Sequence, residues 1–236
     1  MMKRSLIAIV KKELAFFLYS PTAYVAVGLF LILVNWLFFQ NFFLVNQAEM
    51  RDFFQNLVVV YLFLIPALSM ASFAEEKRAK TLEVLLTLPL TSGRVVLGKF
   101  VGSFLILILA LVLTGSVPFT LAALGHPEPG PIVGGYLASL LLGALYLSLG
   151  LFVSALSDNQ IVSFSLTAVI GFLLYVTGTS FFLDRTPDVI APLFRFVSFL
   201  THFQNMAKGI IDLRDVVYFV SFTGVLLYLT GKRLNN

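Results

Sequence analysis

The chain has 236 residues, 59% of them hydrophobic and only 12% charged, with a mean hydropathy of +0.96. Soluble domains carry roughly 25% charged residues, so this composition excludes a water-soluble globule and makes the bilayer the solvent. The net charge of +4 reads as a topology signal rather than a nucleic-acid footprint, and the lack of cysteine excludes disulfides, thiolate metal sites and cysteine nucleophiles.

The basic N-terminal stretch KRSLIAIVKKELAFF is interrupted by Lys11, Lys12 and Glu13, so it has no continuous apolar region of the kind a signal peptide needs. It predicts a short amphipathic helix over 3–19. Ile7, Val10, Leu14, Phe17 and Leu18 share one face, with Arg4, Lys11 and Ala15 opposite, and Pro21 ends the helix at Ser20. Such a helix is expected to lie in the membrane interface with its basic side toward anionic headgroups, either as a topology anchor or with a role of its own.

Six later stretches, at 22–45, 54–74, 98–124, 132–157, 160–183 and 215–231, are long and apolar enough to span a hydrocarbon core of about 30 Å as helices. The expected fold is therefore an all-α, polytopic membrane protein, with 1–236 forming a single transmembrane domain. The third stretch is longer than a span needs, so part of it is expected to project or tilt. The fourth and fifth are separated only by Ser157, Asp158 and Asn159 and should form a tight helical hairpin. GHPEPGP at 125–131 marks a turn. The segment 184–214 contains VIAPLFRFVSFL, too short to span and interrupted by Pro192, which predicts an interfacial or re-entrant helix.

Orientation follows from the basic residues. With the N-terminus cytoplasmic and six spans, 11 of the 16 Lys and Arg fall inside, while 7 of the 12 acidic residues fall outside. Both termini are then cytoplasmic, and each carries basic residues.

GRVVLGKF at 93–100 has the G-x-x-x-x-G-K spacing of a nucleotide-binding loop. That loop needs a strand before it, a backbone free to wrap phosphates, and a Ser or Thr after the Lys to hold magnesium. Here Phe100 stands at the magnesium position, Val95 and Val96 resist the backbone angles required, and an apolar span follows. The residues fit a helix start better, with Thr91 or Ser92 as cap, and Gly98 and Gly102 suited to close helix packing.

Other chemistry is sparse. His126 and His202 are the only histidines and lie far apart, with no zinc-protease spacing. Gly178-Thr179-Ser180-Phe181 lacks the closing glycine and nearby histidine of a serine nucleophile motif, and reads as small-residue helix packing. The span interiors hold no Asp, Glu, Lys or Arg, which argues against ion coupling. Asn35 and Gln40 are the main polar candidates. The chain itself is expected to be neither an enzyme nor a cofactor carrier.

The segment 75–97, EEKRAKTLEVLLTLPLTSGRVVL, is the most charged part of the chain. Leu82, Leu85 and Leu86 share one helical face, and a helix there should end before Pro89. An apolar ridge edged with charge suits a docking knob for a soluble partner. It would equally suit packing on the protein's own spans.

The run E-E-K-R-x-x-T-L-E-x-L-L-T-x-P-L-T, followed by V-L-G-K-F, resembles the first cytoplasmic loop of ABC-2 type transporter permeases. The amphipathic N-terminal helix ending at Ser-Pro, six spans and cytoplasmic termini extend the resemblance over nearly the whole chain. HFQNMAKGIIDLRDVVYFVSF at 202–222 resembles a narrower branch, the permeases associated with gliding motility and with nitrous-oxide-reductase maturation. The resemblance implies a coupling helix seated in a cleft of a separate ATP-binding subunit, which would carry ATP and magnesium. It implies a second copy of the chain or a related permease, the bilayer of a bacterial inner membrane, no nucleic acid, and export as the direction. The candidate partner interface is Glu75, Glu76, Lys77, Arg78, Thr81, Leu82, Glu83, Leu85 and Leu86, with Asp158 as a second, smaller contact. A different class stays open beside it, a membrane scaffold that couples an ATPase to mechanical or assembly work without moving a solute.

Overall fold

A computed structural model of the protein describes residues 2–45, 49–82, 91–125, 127–187 and 189–235. Among these residues the regular structure is entirely helical. Helix α1 (Met2–Tyr19) is followed after Ser20 by α2 (Pro21–Val45), whose first residue is the proline that stops α1. Proline lacks an N–H and has φ preset near the helical value, so it closes one helix and opens the next without loss. Next come α3 (Arg51–Ser69), α4 (Ala71–Arg78), α5 (Ser92–Leu113), α6 (Ser116–Leu124), α7 (Pro129–Leu156) and α8 (Gln160–Val176). The chain ends with α9 (Ser180–Leu183), α10 (Ala191–Val197), α11 (Phe199–Ala207) and α12 (Leu213–Asn235).

The bundle is built around α7, which packs against α3, α4, α5, α8, α11 and α12. Glycine makes this possible. A Cβ on Gly135 would lie 2.1 Å from the Phe54 ring, one on Gly143 would lie 2.2 Å from Leu107, and one on Gly150 would lie 2.0 Å from Ser69 Oγ. In lipid no hydrophobic effect drives helices together, so close backbone approach and the van der Waals contact it brings must do so. The shared core holds Phe53, Phe54, Tyr61, Tyr146, Phe199 and Phe203, all essentially inaccessible. The outer helices are different. The span in α3–α4 and that in α7 are each 72% buried, against 22% in α2 and 28% in α12. Trp36, Ile32 and Tyr24 on α2, and Phe172 and Leu173 on α8, are exposed apolar side chains that lipid can solvate.

Among the described residues, five helical segments are long and apolar enough to cross a membrane: Pro21–Gln40, Arg51–Arg78, Ser92–Leu124, Pro129–Leu156 and Leu213–Asn235. The apolar stretch expected over 160–183 is a continuous helix only to Val176, which leaves α8 at 17 residues. Gly178 causes the break: it lies against α11 and the residue before it, where a Cβ would meet Ser198 Oγ at 2.0 Å and Leu200 Cβ at 2.7 Å. The third stretch is divided into two helices. The helix stops at Thr114, whose buried hydroxyl donates to the Leu111 carbonyl at 2.7 Å, and α6 restarts two residues on. Pro192 does not interrupt the 184–214 segment. It occupies the first turn of α10, where its missing N–H has no helical partner to lose; the break falls at Ser198, whose ψ is 116°.

Asn159 caps α8 by accepting the Ile161 amide at 2.8 Å, and Ser157 bonds the Asn159 backbone, so three residues reverse the chain between α7 and α8.

Candidate functional site

Both termini and the charged segment meet at one end of the bundle. Ile9 of α1, Phe73 of α4, Leu82, Val95 and Val96 of α5, Ala155 of α7 and Leu234 of α12 form one buried cluster there. Around it sits an ion-pair network. Lys99 Nζ lies 2.7 Å from Glu13 Oε1 and 3.1 Å from Glu76 Oε1, and the exposed Lys12 Nζ is 3.1 Å from the same Glu76 oxygen. The ammonium of Lys99 also stands 5.1 Å from the centre of the Phe73 ring. Lys99 and Glu13 are 2% and 5% exposed. Charges buried this deeply persist only when paired, because each loses several kcal/mol of hydration. Two lysines and two glutamates leave the group neutral, and the aromatic face adds a cation–π contact.

This arrangement turns α1 relative to the expectation. The face that packs inward is Ile9, Glu13 and Phe17, with Val10 and Leu14 at its edges, while Ile7 and Leu18 remain exposed. Glu13 sits four residues from both Ile9 and Phe17, in the middle of the apolar stripe rather than on the polar side. That position is the sequence signal for a buried partner, and Lys99 is the partner. Gly98 and Gly102 seat α1 on α5: a Cβ at Gly98 would lie 2.5 Å from Ile9 Cγ2, and one at Gly102 would lie 2.6 Å from Glu13 Cβ. Gly102→Ala is expected to lower stability by about 1–2 kcal/mol by overpacking this contact, read as the unfolding midpoint of the purified protein in detergent. A midpoint equal to the parent's would contradict it.

GRVVLGKF is thus the start of a helix. Thr91 holds the extended N-cap position without a side-chain cap bond, α5 begins at Ser92, and Val95 and Val96 are buried. Its amides donate along the helix, so the stretch does not form a loop that wraps phosphate.

α4 is held a second way by α7. The backbone breaks at Met70, and Ser154 fills the break. Its Oγ accepts the amides of Phe73 and Ala74, both at 3.0 Å, and donates to the Met70 carbonyl at 3.1 Å. In an unbroken helix the Ala74 amide would bond Met70 directly, so the hydroxyl has inserted into the ladder. Lys77 Nζ donates to the Ala155 carbonyl at 2.6 Å, at the C-terminal end of α7 where cations are favoured. Asp158 lies 3.5 Å from the same ammonium but is mostly exposed, so this second pair adds little. Lys80, with φ of 56°, takes the left-handed position that closes α4 and turns the chain toward Leu82.

The residues singled out in the sequence therefore divide. Glu75, Arg78 and Thr81 are exposed, Glu76 and Lys77 are half-buried and grip the bundle, and Leu82 is buried against the protein's own helices. Glu83, Leu85 and Leu86 lie outside the described residues, as does His126. Glu13, Lys99 and Ser154 are the additions the structure makes. No group of three or more metal-ligating side chains occurs among the described residues.

A search of curated proteins returns no matching relative. The family model described as ABC-2 family transporter protein matches residues 44–231, most of the chain, including the charged segment and every helix from α3 to α11. The protein is a multi-pass membrane permease subunit of an ABC transporter, and the chain belongs to the ABC-2 transporter family.

Proposed function

We propose that this permease is driven by a separate ATP-binding subunit docked on the exposed side of α4 and the segment that follows it, and that the complex is an exporter. The mounting of α4 carries the reading. Glu75, Arg78, Lys80 and Thr81 face solvent, while Phe73, Ala74, Glu76 and Lys77 tie the same helix to α1, α5 and α7. A displacement imposed on the outer side would enter three helices at once, and packed helices respond to such pushes by moving between discrete arrangements.

The remaining parts follow from the charge distribution and the family. The end holding both termini is cytoplasmic, in a bacterial inner membrane. α8, about 25 Å long at 1.5 Å per residue, is a sixth, short span. Two permease chains, copies or relatives, face each other about a two-fold axis. ATP and magnesium belong to the partner, and the chain is no enzyme in itself. Within the family, the 202–222 stretch points to the branch of gliding-motility and nitrous-oxide-reductase-maturation permeases.

A scaffold that performs mechanical or assembly work is the second reading. Asn35 favours it: the amide of the main polar residue in the first span donates to Leu31 of its own helix at 2.7 Å, and the groove that Asn35 lines with Ile32, Trp36, Phe39 and Gln40 has an almost wholly apolar surface.

The docking assignment is tested by exchanging charges, Glu75→Lys with Arg78→Glu. The exchange keeps the Lys and Arg count, so the topology signal is preserved, and it touches only exposed side chains. Co-purification with the ATPase and permease-stimulated ATP hydrolysis are expected to fall by about tenfold, the effect of ~1.4 kcal/mol, with an unchanged unfolding midpoint. Wild-type co-purification would remove α4 as the docking surface.

A further inference from the structure

At the end of the bundle opposite the ion-pair network, α10, α11 and α12 line a half-open cavity of about 730 Å³ that the coupling mechanism does not use. His202 and Asp215 form its wall. His202 Nδ1 is 2.6 Å from Asp215 Oδ1, its Nε2 is 3.1 Å from the Phe196 carbonyl, and the Tyr218 ring stacks on it at 4.1 Å. Tyr218 donates in turn to the Val197 carbonyl, so the imidazole is clamped from three sides. Asp215 is 4% exposed, yet its second oxygen, Oδ2, has no hydrogen-bond partner among the described residues. A buried carboxylate oxygen without a donor is costly. Beside it, the exposed guanidinium of Arg214 has no anionic partner among the described residues. The rest of the lining is mixed: Asn205, Asp212 and Ser221 add polar groups, while Val217 and Phe222, 55% and 40% exposed, give it an open apolar side.

We infer that this cavity binds the headgroup of a phospholipid bearing a primary ammonium. The ammonium would donate to Asp215 Oδ2, the phosphate would pair with Arg214, and the acyl chains would run along Val217 and Phe222 into the bilayer. His202 is a positioning residue that fixes the carboxylate by holding its other oxygen. The requirement for an N–H is the discriminating element: a choline headgroup has the same charge and no proton to donate. The volume fits, since ligand cavities run from about 300 to 1,000 Å³. The inference rests on the chain spanning a membrane with this end at a lipid–water interface. It does not depend on where the ATPase docks.

The experiment is native mass spectrometry of the purified full-length chain, without ATPase, after equilibration in micelles holding equal phosphatidylethanolamine and phosphatidylcholine. Retention of the ethanolamine lipid by about tenfold over the choline lipid is expected, the effect of one charge-assisted hydrogen bond. Asp215→Asn is expected to bring the ratio to near one. Ser221→Phe, which fills the cavity without touching the His202–Asp215 pair, is expected to abolish retention of both. Displacement by soluble glycerophosphoethanolamine would keep the ammonium assignment and overturn the bilayer as its source. Equal retention of the two lipids, no retention of either, or a preference that survives in folded Asp215→Asn would overturn the proposal, and the charge-exchange test on α4 would stand unaffected.

Discussion

Lys99→Met is expected to destabilise the protein by about 3–5 kcal/mol, the usual effect of removing one partner of a buried pair. The side chain keeps its length and apolar contacts, so the loss isolates the charge. Among the described residues, Glu13, 5% exposed, is left with no cation within bonding distance, and Glu76 keeps only the exposed Lys12. The double variant Lys99→Met with Glu13→Leu removes both buried charges and is expected to recover most of the stability, because an apolar pair of similar volume often replaces a buried ion pair without loss. Coupling should not recover with it. Glu76 would still lack its link to α5, so α4 would move without drawing the third membrane segment along. The measurement pairs unfolding midpoints of the two variants with permease-stimulated ATP hydrolysis. A parent-like midpoint in Lys99→Met would show that the pair is not buried as described. Restored stimulation in the double variant would show that the network holds the fold without transmitting force.

Ser154→Ala is expected to cost about 2–3 kcal/mol, as two buried amides and a carbonyl lose their shared partner. Alanine keeps the β-carbon and adds no atom, so the hydroxyl is the change that matters. Phe73 and Ala74, whose amides Ser154 receives, are completely inaccessible, so water cannot replace the lost acceptor. Amide hydrogen exchange at Phe73 and Ala74 should speed up more than exchange in the centre of α7, since the break at Met70 is local. Unchanged protection at those two amides would mean that the backbone repairs itself by direct Ala74-to-Met70 bonding, and that Ser154 is not what holds α4.

The class of the protein was legible in composition alone. A chain with 12% charged residues and stretches of unbroken apolar sequence has one solvent in which to fold, and helices are the way such stretches satisfy their backbone there. Proline and glycine positions were legible in kind but not in effect. Pro21 stops a helix as expected, whereas Pro192 opens one, because the cost of proline depends on whether its turn had an N–H to bond. The end of α8 at Val176 was not legible, since Gly178 yields to the approach of Ser198, the residue that separates α10 from α11.

Composition and spacing were enough for the all-helical membrane class and for the failure of GRVVLGKF as a phosphate loop. The tertiary structure decided what that stretch does instead: its lysine holds α1 and α4 together. Lys99 meets Glu13 across 86 residues, and the Ala74 amide meets Ser154 across 80. Periodicity reports which side of a helix is apolar, because that is a local consequence of solvent. It carries no record of which distant charge neutralises a buried one, and that pairing exists only once the helices have packed.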